Sequence, residues 1–388
     1  LVSVGAAGLE ATAQATAEVA SGLAPVRPLE PAEPSLITTL APSLSGRVFT
    51  RRFSFELTYG PRLSLRTPSY VESTTPTLLH QATATQTYRL TPRTEWQNSA
   101  AVNYGEVDYL DLREILESEE ARTVATSRVG VLGTSAQTQL SRAVSRRYRV
   151  SLGAGWSRQE LVGDTASTTF PTSETGSLQL SQALTLTRSD SLSLATVVGQ
   201  TEYDPGLDYS FGNALVTWGH ALSPTASTTA AAGIAVYLDD GGNWLQSPMA
   251  TGSARSYLGT VGTLRTTGTV SLTLTSTLDP LTGEPREVAG VQVGVDARDA
   301  PWSYGASAST FTSLRRSDVA SERAESSASG QASATYELHR TTVVSFGVRT
   351  GWRAVDFGGT AGEHSDVEAL GFVAIHYRQV VASRAGPR

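Results

Sequence analysis

Cysteine and lysine are absent from the 388-residue chain, and methionine occurs once. Without thiols there can be no disulfides and no thiolate metal sites. Without lysine there is no G-x-x-x-x-G-K-[ST] phosphate loop. All 30 basic residues are arginine, and 36 acidic residues outnumber them, giving a net charge of −6. With no basic stripe along the chain, nucleic acid is excluded as a partner. Charged residues make up 17% and hydrophobic residues 39%, both low for a soluble domain. Yet 13 Tyr, 6 Trp and 9 Phe separate the chain from disordered sequences. Long apolar runs are missing too. The longest stretch without an ionised side chain, Tyr209 to Leu238, contains Pro224 and is interleaved with Ser, Thr, Gly and Asn. No segment has the roughly 20 apolar residues of a membrane-spanning helix.

Catalytic signatures are equally scarce. There is no G-x-S-x-G, no H-E-x-x-H and no EF-hand loop. The five histidines (His80, His220, His339, His364, His376) are scattered singly, whereas metal sites need clustered ligands. Asp239-Asp240-Gly241-Gly242-Asn243 fits no calcium-loop spacing and reads as a polar loop. Neither an enzyme nor a cofactor is expected.

Alternation is what the chain has in abundance. From Ala332 to Leu338 every second residue is apolar or aromatic; the chain turns at His339-Arg340-Thr341, and the pattern resumes. Thr342, Val344, Phe346, Val348, Thr350 and Trp352 then share one face, with Ser345, Gly347, Arg349, Gly351 and Arg353 on the other. A period of two is a strand with one greasy and one polar side. Thr342–Trp352 suffices to cross a bilayer as a tilted strand, which takes roughly 9–11 residues.

The same unit recurs from Ser35 to Val381. Short turns fall near residues 146, 189, 224, 267, 300 and 340, the one near 267 being Thr266–Gly268. Longer polar loops lie between them, at Asp108–Thr126, Val162–Thr175, Asp239–Ala254, Asp279–Glu287, Arg316–Ser329 and Phe357–Val367. Short turns on one side and long loops on the other define an all-β, antiparallel, up-and-down transmembrane barrel, integral to the outer membrane of a Gram-negative bacterium. Tyr88, Tyr104, Tyr148, Trp156, Tyr209, Trp302 and Trp352 sit toward strand ends, where interfacial girdles belong. Seventeen strands can be counted. Single-chain bacterial barrels are even, so the number is sixteen or eighteen, with eighteen favoured. Leu1–Ala15 reads as the remnant of a signal peptide ending at Ala13-Gln14-Ala15, the alternative being an Ala-rich mature N-terminus, and Thr16–Pro34 as an unstructured lead-in. The organisation expected is therefore residues 1–34 as leader and lead-in, 35–381 as barrel, and 382–388 as tail.

So wide a barrel leaves a watery lumen. Charges facing lipid cost about 2–4 kcal/mol for Arg at mid-membrane, which turns the charges inward. The pore-lining candidates are Glu56, Arg62, Arg89, Arg149, Asp296, Glu337, Arg349 and Arg353. Tyr109–Glu120 (YLDLREILESEE) has helical spacing inside a long loop. Its Asp111, Glu114, Glu117, Glu119 and Glu120 are candidates for an acidic constriction or a lid, the alternative being a solvated surface helix. The partners expected are outer-membrane lipid and lipopolysaccharide, with the barrel-assembly machinery for insertion.

The stretches Leu40–Arg66 (LAPSLSGRVFTRRFSFELTYGPRLSLR) and Tyr104–Tyr109 (YGEVDY), together with the Ala/Thr/Ser-rich strands, resemble one family. It comprises the porin-like (Wzp-like) outer-membrane barrels of polysaccharide export. The resemblance implies eighteen strands, no catalysis, a carbohydrate polymer as cargo, and a periplasmic polysaccharide-export protein as partner. The chain ends its last strand at His376–Val381 and continues to Arg388, unlike a generic porin with an aromatic last residue. Passive diffusion of small polar or anionic solutes and a scaffold role in an envelope complex are the alternatives.

Overall fold

The computed structural model describes residues 8–25, 32–67, 76–107, 129–162, 172–204, 208–278, 285–314, 324–356 and 363–384. They form eighteen strands: β1 (Gly8–Pro25), β2 (Ala32–Phe49), β3 (Phe53–Thr67), β4 (Thr77–Thr91), β5 (Thr94–Val107), β6 (Val129–Ala143), β7 (Tyr148–Val162), β8 (Thr172–Thr185), β9 (Asp190–Asp204), β10 (Tyr209–Ser223), β11 (Ala226–Asp239), β12 (Trp244–Val261), β13 (Leu264–Leu278), β14 (Pro285–Asp299), β15 (Trp302–Leu314), β16 (Ala324–His339), β17 (Thr342–Asp356) and β18 (Glu363–Arg384). Each strand pairs antiparallel with its sequence neighbours, and β1 pairs with β18, so the sheet closes on itself. Closure leaves no edge, as a sheet in lipid requires. Eighteen strands about 4.8 Å apart and tilted about 40° give a wall roughly 35 Å across, backbone to backbone.

The wall is apolar outside. Leu44, Leu152, Leu178, Leu272 and Val373 are each more than half exposed, whereas Arg353 on the other face is 2% exposed. That inversion of a soluble protein marks the outer face as the one lipid covers. A band of aromatics circles the wall near the short turns, including Tyr88, Trp96, Trp218, Trp302 and Tyr377. Trp302 stacks on Tyr304 with ring centroids 6.0 Å apart and packs against Tyr336 at 4.7 Å. Amphipathic rings at this level suit the headgroup region. Tyr209 is not in a girdle. It is 6% exposed and joins Tyr203, Ala235 and Tyr237 in a cluster on the inner face, because its place in the β10 alternation matches the inward Asn213 and Thr217, opposite the exposed Val216 and Trp218.

The missing strand is β1. Gly8–Pro25 pairs along its whole length with β2, from Gly8 with Phe49 to Pro25 with Ala32, and along most of it with β18. The lead-in expected over Thr16–Pro34, and the barrel boundary at residue 35, are thereby corrected: this segment is wall. The physical reason lies in the small outward residues, Ala13, Ala15 and Ala17, which give an alternation too faint to register. Gly8–Ala15, the part expected to be leader, belongs to the same strand. At the other end β18 runs to Arg384, three residues past the expected limit.

Two further boundaries move. The turn expected at Thr266–Gly268 falls at Gly262-Thr263, where Gly262 has φ 65 and takes the left-handed conformation that suits glycine. β8, β12, β14, β16 and β18 all begin inside stretches expected to be loop. Above the membrane the wall needs hydrogen-bonded backbone but no greasy face, so Ser, Thr and Gly extend it without an alternation to announce it.

Eight short turns of two to four residues lie on one rim, together with the start of β1 and the end of β18. The short-turn rim of such barrels is periplasmic.

Candidate channel lumen

Alternation and register decide what faces inward. Glu18 (β1) is level with Ala374 (β18) and Thr39 (β2), and Thr39 is level with Ser64 (β3). Arg349 (β17) is level with Leu370 (β18) and Gln331 (β16). Arg349 reaches across β18 to bond Glu18 through its Nη2, a bridge between non-adjacent strands made over the inner face. The guanidinium also lies over the Phe372 ring, 4.6 Å from its centroid. That ring lies against the wall because Gly347 has no side chain there; a Cβ would sit 3.0 Å from the ring.

A cavity of about 410 Å³ opens on this pair, lined also by Arg62, Ser64, Gln292, Ser307, Gln331 and Glu368. Residues from eight strands meet around it, so it lies inside the barrel. Beside it Ala20, Ala24, Leu370 and Phe372, with Ile37 against them, form an apolar patch. A charged pair abutting an apolar surface gives this side of the lumen both ionic and apolar contact.

Higher on the same side the charges are locked. Arg353 Nε donates to Glu325 Oε1 at 2.5 Å, and Arg286 Nη1 lies 3.9 Å from Glu325 Oε2. Arg353 is 2% exposed and Glu325 6%. Arg66 is also buried and donates to the Pro25 carbonyl. Buried charges need such partners, since stripping one from water unpaired costs several kcal/mol.

The eight candidates therefore do not form one ring. Glu56, Arg89, Arg149, Asp296 and Glu337 all lie within four residues of a strand end at the short-turn rim. There Arg89 approaches Glu95 on the next strand at 4.0 Å. Arg62 and Arg349 are at mid-height, and Arg353 is above them. Glu18, Glu325, Arg286 and Glu368 were missed. Glu18 lies in the segment expected to be lead-in, Glu325 and Arg286 lie in stretches expected to be loop, and Glu368 opens the last expected strand without being singled out; a barrel boundary at Gly8 exposes the first. Asp111, Glu114, Glu117, Glu119 and Glu120 lie outside the described residues.

The opposite wall differs in kind. On β4 to β8 the inward positions include Gln81, Asn103, Gln97, Ser99, Gln137, Gln139, Ser177 and Gln179, level with one another across the ladders. Gln97, Gln137, Gln139 and Gln179 line one cavity of about 180 Å³ with Ser99 and Ser177. Amides and hydroxyls both donate and accept hydrogen bonds and carry no charge. Asp239-Asp240-Gly241-Gly242-Asn243 at the upper rim is a closed turn. Asp239 accepts from the Asn243 backbone N–H and from its Nδ2, each at 2.8 Å. Among the described residues no group of three or more His, Asp or Glu is placed to hold a metal ion.

The closed barrel, lipid-facing exterior and paired aromatics define an integral outer-membrane β-barrel. Comparison with solved structures agrees with that class. The chain resembles OccAB4 of Acinetobacter baumannii (13% identity, TM-score 0.50, covering 96% of this chain and 98% of that one). It resembles OpdQ of Pseudomonas aeruginosa at 9% identity and TM-score 0.51, over 97% and 98% of the two chains. The copper transporter OprC matches at 10% identity and TM-score 0.53, over 97% and 81%. At these identities the likeness is one of fold. No family model matches the chain, and no curated protein matches it.

Proposed function

We propose that the protein is an outer-membrane channel for hydroxyl-rich solutes, carbohydrate chains above all. The observation that carries this is the uncharged track of Gln81, Asn103, Gln97, Gln137, Gln139 and Gln179, with the serines between them. A sugar hydroxyl both donates and accepts. A wall of amides exchanges such bonds at little net cost, since each is worth about 0.5–1.5 kcal/mol against water. A polymer can then slide without being held. The sequence resemblance to barrels of polysaccharide export points the same way, and the copper transporter OprC, similar in fold, passes a different cargo.

A second reading, diffusion of small anions, draws on Arg62 and Arg349 in the mid-height cavity. Glu18 and Glu368 line the same cavity, so the charge there is balanced and the saccharide reading is preferred. The test is partial block of single-channel current by maltohexaose, in the wild type and in Gln137→Ala/Gln139→Ala. Concentration-dependent block weakened by the double variant is expected. Block that is absent, or unchanged in the variant, would reject the saccharide track; strong block by citrate in its place would favour the anion reading.

A further inference from the structure

We infer that the short-turn rim carries a docking surface for a periplasmic protein presenting a carboxylate-rich face. The eight short turns contain seven arginines and not one aspartate or glutamate, in a chain whose acidic residues outnumber its basic ones. Six of the seven fall in four consecutive turns, β2–β3, β4–β5, β6–β7 and β8–β9: Arg51, Arg52, Arg93, Arg146, Arg147 and Arg188. The next three turns, Pro224-Thr225, Gly262-Thr263 and Ala300-Pro301, have no charge. Arg340 stands alone in the last.

All six crescent arginines are exposed, and no ion pair joins any of them to a described carboxylate. Two of the nearby acids, Glu95 and Asp190, are already engaged. Glu95 faces Arg89. Asp190 accepts from Thr187 Oγ1 at 2.6 Å and Ser189 Oγ at 3.1 Å and pairs with His220 Nδ1 at 2.7 Å. The positive charge is therefore not neutralised by ion pairs with the described carboxylates.

Shape chooses the partner. Six interstrand steps of about 4.8 Å, tilted about 40°, make the crescent roughly 38 Å long, the footprint of a folded domain. An annulus of anionic phospholipid would meet the rim on every side and would call for arginine all round. A one-sided arc fits a body that sits against one flank of the pore mouth. Arginine, with its planar fork of donors, is the residue that pairs carboxylates at interfaces. The inference stands whatever the lumen passes.

The test uses the full chain in phosphatidylcholine nanodiscs, with poly-L-glutamate of about 20 residues as the probe. Because the chain has no cysteine, Val144→Cys places one environment-sensitive dye on the crescent, and Thr225→Cys places one on the bare arc. Saturable binding at low salt is expected, reported by the dye at 144 and not at 225. It should be lost at high salt, and Arg51→Gln/Arg52→Gln/Arg146→Gln/Arg147→Gln should weaken it about tenfold or more. Those four side chains are exposed turn residues, so the variant should keep the wild-type heat-modifiable band on gels. No binding at low salt, equal response of the two dyes, or undiminished binding by the quadruple variant would overturn the inference. So would a crescent dye that responds to phosphatidylglycerol added to the nanodisc while polyglutamate does nothing, an outcome that assigns the arginines to lipid.

Discussion

Neutralising one member of the Arg349–Glu18 pair should move the ion selectivity of the channel in a direction fixed by which member is removed. The two side chains retain about 31% and 25% of their exposure, so both face the water of the lumen. With both present their fields cancel at a distance. Glu18→Gln leaves Arg349 uncompensated. An ion passing about 7 Å away in water feels about 0.6 kcal/mol, and screening at 0.1 M salt reduces this to about 0.3 kcal/mol. Against a thermal energy of about 0.6 kcal/mol, that raises anion occupancy about 1.6-fold, lowers cation occupancy equally, and so shifts the permeability ratio about 2.5-fold toward anions. Arg349→Gln should shift it as far toward cations. The assay is the reversal potential across a planar bilayer with a salt gradient. At 1 M salt the Debye length falls to about 3 Å and both shifts should nearly vanish. Two variants that conduct normally yet keep the wild-type reversal potential at 0.1 M would show that the pair does not border the ion path.

Other consequences follow from the same geometry. Ala17→Pro in β1 removes a backbone donor in a strand paired on both sides and should prevent closure, visible as loss of the heat-modifiable folded band. Arg353→Met leaves Glu325 buried without its 2.5 Å partner and should destabilise the barrel to urea by about 3–5 kcal/mol, with Glu325→Gln in the same chain restoring part of the loss. Leu152→Arg, on the exposed outer face of β7, should cost about 2–4 kcal/mol of stability in lipid, while Gln137→Arg on the inner face of β6 should be tolerated.

The barrel was legible because lipid imposes a period of two wherever the wall crosses the membrane. Phe346, Val348 and Trp352 are exposed to the outside as their alternation requires, and Arg349 between them faces in. Legibility ended where that pressure ends. Above the membrane β16 continues through Glu325, Ser326 and Ser327 with polar side chains and no apolar alternation, and β1 crosses with alanines facing out, so neither is announced by a period of two. Alternation also says nothing of height. Arg349 and Arg353 share a face and read as equivalent lumen charges, yet one borders the open cavity and the other is sealed against Glu325. Which of them an ion can reach depends on contacts between strands far apart in sequence. Tyr209 shows the same limit: a position near a strand end does not tell a girdle residue from a lumenal one.

The central claim is that this closed wall encloses a water-filled path. The most direct measurement is planar-bilayer recording of the purified protein. Discrete, ohmic conductance steps that scale with salt concentration are expected. Folded, membrane-inserted protein that gives no steps would contradict the account.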